Sequence, residues 1–187
     1  MKRLYLITHP AVNIDPNTPV NQWSISKDGW KSVIGFMDHE LWSEVEEVYA
    51  SSEPKAYNAA GYWAGNIGLA VKIVEGIQEI DRTSTGFIPE PEFGRQDEAF
   101  WVNPSERVRG WESVEECYKR MKLALDKIIN ESEKDVVAVV SHGAVTNMYV
   151  AKMRGMVPGI ATGQKELGSW ITIDVKNNKV SGRWKIY

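Results

Sequence analysis

Residues 135–143 read Asp-Val-Val-Ala-Val-Val-Ser-His-Gly (DVVAVVSHG), and the fold turns on how that run is read. Val136 to Val140 are apolar without a break, so the run lacks the alternation of a strand with one wet face. A strand of this kind must be covered on both sides, as in the middle of a parallel sheet flanked by helices. Gly143 then opens a helix that reaches about Arg154. Near the other end of the chain, Leu4 to Thr8 (LYLIT) is a second short β-branched and aromatic run, stopped by Pro10.

The segments between these two runs keep changing period. Residues 10–25 carry Pro10, Pro16 and Pro19 and read as a loop. Ser26 is placed to cap a helix that puts Trp30, Val33, Ile34 and Met37 on one face. Glu46 to Ala50 is a strand ending in Ser51-Ser52, and Pro54 follows in the first turn of a helix reaching about Gly68. Val71 to Val74 is a third short strand. Trp111 to Glu131 is an amphipathic helix, and SWITIDV-KNN-KVSGRWKIY at 169–187 has the pattern of a hairpin. Strands alternating with helices imply an α/β fold, a three-layer α/β/α sandwich around a mostly parallel sheet, in one domain spanning 1–187. Residues 75–110, rich in Pro, Gly, aromatics and four arginines, read as an irregular insertion that covers a substrate.

Composition narrows the function classes. A net charge of −3 argues against a nucleic-acid partner. No run approaches the roughly 20 apolar residues a membrane span requires. MKRLYLITHP is too short an apolar start for a signal peptide, and Cys117 is the one cysteine, so the expected location is cytoplasmic. Cys117 falls in an amphipathic helical run and reads as a packed thiol. The edge of the C-terminal hairpin leaves a homo-oligomer open.

In parallel sheets, ligands collect at the carboxyl ends of the strands. His9 follows LYLIT, His142 follows VVAVVS, Lys55 lies just past the second strand, and Glu79 follows the third. Four chemically useful residues therefore converge on one sheet edge. His39, in the stretch DGWKSVIGFMDHELW with no strand end near it, reads as a solvated surface residue. Two His and one Glu could form a hydrolytic zinc site. No HExxH is present, however, and the histidines are not paired at helical spacing, so that reading ranks lower. A serine hydrolase ranks lower still, since no GxSxG elbow occurs.

In this order and spacing, LITHP, SSEPKAYNAA, EIDR and VVSHG resemble the successive motifs of the histidine phosphatase (phosphoglycerate mutase-like) superfamily, from Leu4 to about Gly155. The resemblance implies that His9 is a nucleophile that becomes transiently phosphorylated. It makes His142 the residue flanking the phosphoryl group, Glu79 the proton donor to the leaving oxygen, and Lys55, with Gly143, part of the phosphate subsite. It calls for no metal or cofactor, and implies a small phosphorylated metabolite as partner. Two residues depart from the family pattern: Thr8 stands where its first arginine is expected, and Pro10 where a glycine is. Thr8 offers the phosphate one neutral hydroxyl in place of a bidentate guanidinium. Arg82, three residues beyond Glu79, could restore that charge or be an ordinary lid arginine. Two readings remain: a phosphatase acting on a small phosphomonoester, and a regulatory protein that holds phosphate ligands in an impaired site.

Overall fold

The computed structural model describes residues 1–159, 162 and 166–187. Six strands form one sheet: β1 (Arg3–Thr8), β2 (Glu47–Ala50), β3 (Val71–Ile73), β4 (Val136–Ser141), β5 (Ser169–Asp174) and β6 (Lys179–Ile186), in the order β3-β2-β4-β1-β5-β6. The first four run parallel, while β5 and β6 add an antiparallel hairpin beyond β1. Its turn places Asn178 at φ 48°, a left-handed conformation that Asn tolerates.

The unbroken apolar character of β4 follows from this placement. Val137 and Val139 pack with Leu4 and Leu6 against Cys117, Met121 and Leu125 of α4 (Val114–Glu131) and against Met148 of α5 (Gly143–Met153). Ala138 and Val140 face the other way, with Tyr5 and Ile7. They meet Val33 and Phe36 of α1 (Lys27–Phe36) and Ala56, Ala60 and Trp63 of α2 (Pro54–Asn66). Helices therefore cover both faces, and the expected three-layer sandwich is the observed one. The buried Trp63 indole donates to the Val33 carbonyl at 2.8 Å, so its one polar atom is satisfied across the α1–α2 contact.

Local signals set most boundaries. The Ser26 hydroxyl caps α1 through Gly29 N, and Ser113 with Glu116 makes a reciprocal capping box at α4. That box starts α4 at Val114, three residues later than Trp111. The segment 75–110 is more regular than its composition suggests, because α3 (Glu92–Val102) lies inside it, with Phe100 fully buried. His39 is also not merely solvated. It caps a short 3-10 turn by accepting from Leu41 N at 3.1 Å, and its ring packs edge-on against Trp170. Cys117 is buried as expected. Among the described residues, no helix is long and apolar enough to cross a membrane.

Gly29 shows how tightly α1 sits on the loop that follows β1. A Cβ there would lie 2.2 Å from the Ala11 carbonyl oxygen, whereas one at Gly35 on the same helix would touch nothing. Gly29→Ala is expected to destabilise the protein by about 1–3 kcal/mol, lowering Tm by several degrees. Gly35→Ala should be neutral or stabilise by up to about 1 kcal/mol. Thermal denaturation of the two variants side by side checks the pair.

Candidate active site

The parallel register brings the strand ends to one height. Thr8 pairs with Ser141 and Ala50 with Val140, so the residues that follow them leave the sheet together. The ladder runs one step further at two places: His9 N donates to Ser141 O, and Ser51 N to Val140 O, each at 3.0 Å. His9 O in turn accepts from Gly168 N at 3.0 Å. His9 is thus held on two sides by backbone before its side chain makes any contact.

The two imidazoles meet edge to face with ring centroids 5.2 Å apart. His9 Nδ1 lies 2.8 Å from the Pro10 carbonyl oxygen. A carbonyl can only accept, so Nδ1 carries the proton and Nε2 keeps its lone pair. Burial, reinforced by the charges of Lys55 and Arg82, lowers the His9 pKa from 6.5 to about 4, so the ring is neutral at pH 7. His142 is driven down in the same way, first by burial and then by His9 and the nearby cations. Its Nε2 lies 2.8 Å from Ser51 Oγ and 3.6 Å from Glu53 Oε1, while its buried Nδ1 has no partner among the described residues.

Glu53 ties these parts together, and sequence reasoning passed over it. It precedes α2 and is itself buried; one carboxylate oxygen forms an ion pair with buried Lys55, and the other accepts from Glu79 N at 2.8 Å. Burial raises its pKa, opposed by Lys55. The Lys55 ammonium also donates to Val20 O at 3.1 Å, tethering the 10–25 loop. Arg120 of α4 is a second unforeseen contributor. Its guanidinium donates to the carbonyls of Gly76, Gln78 and Glu79 at 2.8–2.9 Å and pairs with Glu112 at 2.7 Å. It thereby fixes the loop that carries Glu79. Gly76 allows this approach: at φ 95°, its missing Cβ would lie 3.1 Å from Arg120 O. The signals available in the sequence were the Ser51-Ser52-Glu53 run at a strand end and a lone arginine on the buried side of α4.

A cleft of about 690 Å³ opens over His9, lined by Lys55, Glu79, Arg82 and Gly143 as well as by aromatic side chains. Gly143 stands at the N-terminus of α5, where free N–H groups and the helix dipole favour an anion. Arg82 lies over Phe93 and Trp111, 5.4 and 5.5 Å from their ring centroids. Among the described residues its guanidinium makes no hydrogen bond or salt bridge, whereas Arg107 and Arg109 pair with Glu116 and Glu92. Thr8 departs from its expected place. It is fully buried and is not part of the cleft wall, and its hydroxyl donates to Ser169 O at 3.1 Å and accepts from Ser169 N at 3.0 Å. The side chain extends the β1–β5 ladder and has no donor left for a phosphate.

Ligating atoms of His9, Glu79 and His142 lie within 4.8 Å of one another, close enough to hold a metal ion. Lys55 and Arg82 oppose that use: both bear electrostatically on the two imidazoles, which favours an anion over a cation between them.

Two consequences follow for stability. Because the unfolded chain protonates His9 near pH 6.5 and the folded one only near 4, its contribution is complete above pH 6.5 and falls away as pH drops toward 4. Urea titrations at pH 7 and pH 5 should show a loss of about 2 kcal/mol that His9→Asn removes, with His142 acting in the same direction. Arg120→Met should cost about 3 kcal/mol, since it strips a partly buried network of charge-assisted hydrogen bonds. Urea midpoints at pH 7 read that loss.

Comparison with known proteins gives this geometry a context. The family model described as histidine phosphatase superfamily (branch 1) matches residues 25–183. The match starts downstream of His9, so the position of that residue rests on the β1–β4 register. No curated protein sequence matches the chain. Among solved structures, a mycobacterial glucosyl-3-phosphoglycerate phosphatase complexed with inorganic phosphate is similar to it, with a TM-score of 0.77 at 14% identity over 100% of this chain and 96% of that one. A mutant phosphoserine phosphatase of Entamoeba histolytica with phosphoserine bound gives 0.79 at 17% identity over 97% and 96%. The Entamoeba histolytica phosphoserine phosphatase in complex with 3-phosphoglyceric acid gives 0.75 at 20% identity over 97% and 96%. At these identities the likeness concerns the fold, and the family follows from the sequence match: the chain belongs to the histidine phosphatase superfamily, branch 1.

Proposed function

We propose that this protein is a metal-independent phosphatase that hydrolyses a small phosphomonoester through a phosphohistidine at His9. The observation that carries the reading is a neutral imidazole whose Nδ1 proton is committed to Pro10 O, leaving Nε2 as a nucleophile in a cleft with two cations, Lys55 and Arg82. The similar solved structures are of proteins named as phosphatases, which supports it.

In the first step the Nε2 lone pair of His9 attacks phosphorus. An N–P bond forms, the ester O–P bond breaks, and Glu79 delivers a proton to the departing alcohol oxygen. In the second step Glu79 takes a proton from water as its oxygen attacks phosphorus, and the N–P electron pair returns to His9. Lys55 and Arg82 hold the equatorial oxygens, together with the first N–H groups of α5 at Gly143. His142 is fully buried and lies outside the cleft wall, its ring edge to face with that of His9; with Ser51 donating to its Nε2, its proton sits on Nδ1, the buried atom without a partner among the described residues. Arg82 takes the role that the resemblance gave to an arginine in place of Thr8. Its guanidinium is held over two aromatic rings, and its N–H edge has no partner among the described residues.

The test uses the purified protein with p-nitrophenyl phosphate in the presence of a chelator. Turnover should persist, and a rapidly quenched reaction should contain acid-labile, base-stable phosphoprotein that disappears in His9→Ala. Arg82→Ala should lower kcat/KM by about tenfold to a hundredfold, the worth of one charge-assisted contact. Activity abolished by the chelator and restored by a divalent metal would instead assign His9, Glu79 and His142 to a metal.

A further inference from the structure

The cleft is much larger than its phosphate end, and the remainder of its wall has a definite chemistry. The 10–25 loop brings Trp23 against Phe87, with ring centroids 6.0 Å apart, and α3 contributes Phe93 and Trp101. The charged side chains there, beyond Lys55, Glu79 and Arg82, are Glu90, Asp97 and Glu166, and all of them are acidic. Among the described residues the wall offers no third lysine or arginine. We propose that the phosphomonoester bound here carries an aromatic or extended apolar alcohol part and no carboxylate. The proposal rests on the phosphatase reading for the phosphate end and on the wall for the rest.

Three observations support it. Lys55 is already paired with Glu53, which leaves Arg82, among the described residues of the cleft wall, as the one cation without a carboxylate partner, and the phosphoryl group requires it. A second anionic group on the substrate would therefore lie in an apolar cleft facing carboxylates, with no further cation among the described residues to pair with, which is costly. Asp97 is partly occupied on the wall side, accepting from the Trp101 indole at 3.2 Å, and burial already raises its pKa, so a further negative charge beside it is disfavoured. Finally, about 690 Å³ is the size of site that buries a drug-sized ligand, and a phosphoryl group with a three-carbon chain would leave most of the aromatic wall wet.

The experiment compares kcat/KM for naphthylmethyl phosphate, phosphoethanolamine, phosphoserine and 3-phosphoglycerate. Each is an ester of an alkyl alcohol, so differences report recognition more than leaving-group acidity. Phosphoethanolamine differs from phosphoserine only by the carboxylate. Naphthylmethyl phosphate is expected to exceed phosphoserine by about a hundredfold, and phosphoethanolamine to exceed it by about tenfold. Phe87→Ala should reduce the naphthylmethyl-to-phosphoethanolamine ratio by about tenfold. Phosphoserine or 3-phosphoglycerate handled as well as the aromatic ester overturns the proposal. Calorimetry separates this failure from failure of the phosphatase reading. Should no ester turn over, the phosphatase reading falls. The wall is then judged by affinity alone: naphthylmethylphosphonate should bind about tenfold more tightly than methylphosphonate, and equal affinity overturns the proposal.

Discussion

Burial of β4 on both faces between β1 and β2 is the constraint from which the rest of the structure follows. A strand in that position has no solvent side, so a shift of its register by one residue would exchange Val137 and Val139 for Ala138 and Val140 against helices shaped for the others. The register is therefore specified by packing, and packing in turn sets the height at which the chain leaves the sheet. His9, Ser51 and His142 emerge from three adjacent strands at that height. Their proximity is a consequence of core geometry, achieved by residues that touch no ligand.

Above the sheet, one carboxylate organises the charges. Glu53 is buried, joined to Lys55 on one oxygen and to the Glu79 amide on the other, with His142 Nε2 nearby. A buried carboxylate with a single strong partner would be expensive, and here the extra hydrogen bonds share the desolvation cost. The same arrangement joins the start of α2, the loop after β3 and the start of α5. Arg120 secures that loop from the opposite layer through three backbone carbonyls. Both histidines remain neutral because they are buried and because the uncompensated charge near them is positive.

Thr8 shows how a residue's neighbours can reverse its meaning. From its position beside His9, its hydroxyl would be expected to face the ligand. In the folded protein it satisfies the Ser169 amide and carbonyl and lies outside the cleft wall. The guanidinium that the cleft does contain, that of Arg82, is positioned by Phe93 and Trp111, which come from α3 and from just before α4.

The amino-acid sequence alone determined the layers, the alternation of strands and helices and the candidates at the strand ends, because these depend on local periodicity and on short motifs such as VVSHG and SSEPKA. It also carried the start of α1 at Ser26, since capping is decided within four residues, whereas the capping box at Ser113 went unread and the expected start of α4 at Trp111 was three residues early. The helix Glu92–Val102 was hidden by flanking prolines and glycines, and it is stabilised by Phe100 packing into a distant cluster. Only the tertiary structure decided which polar groups face the cleft, which are spent on structure, and which pair with one another. The Glu53–Lys55–Glu79 and Arg120 networks join residues up to 44 positions apart. Such partnerships are set by the packing of separate elements, and no local pattern records them.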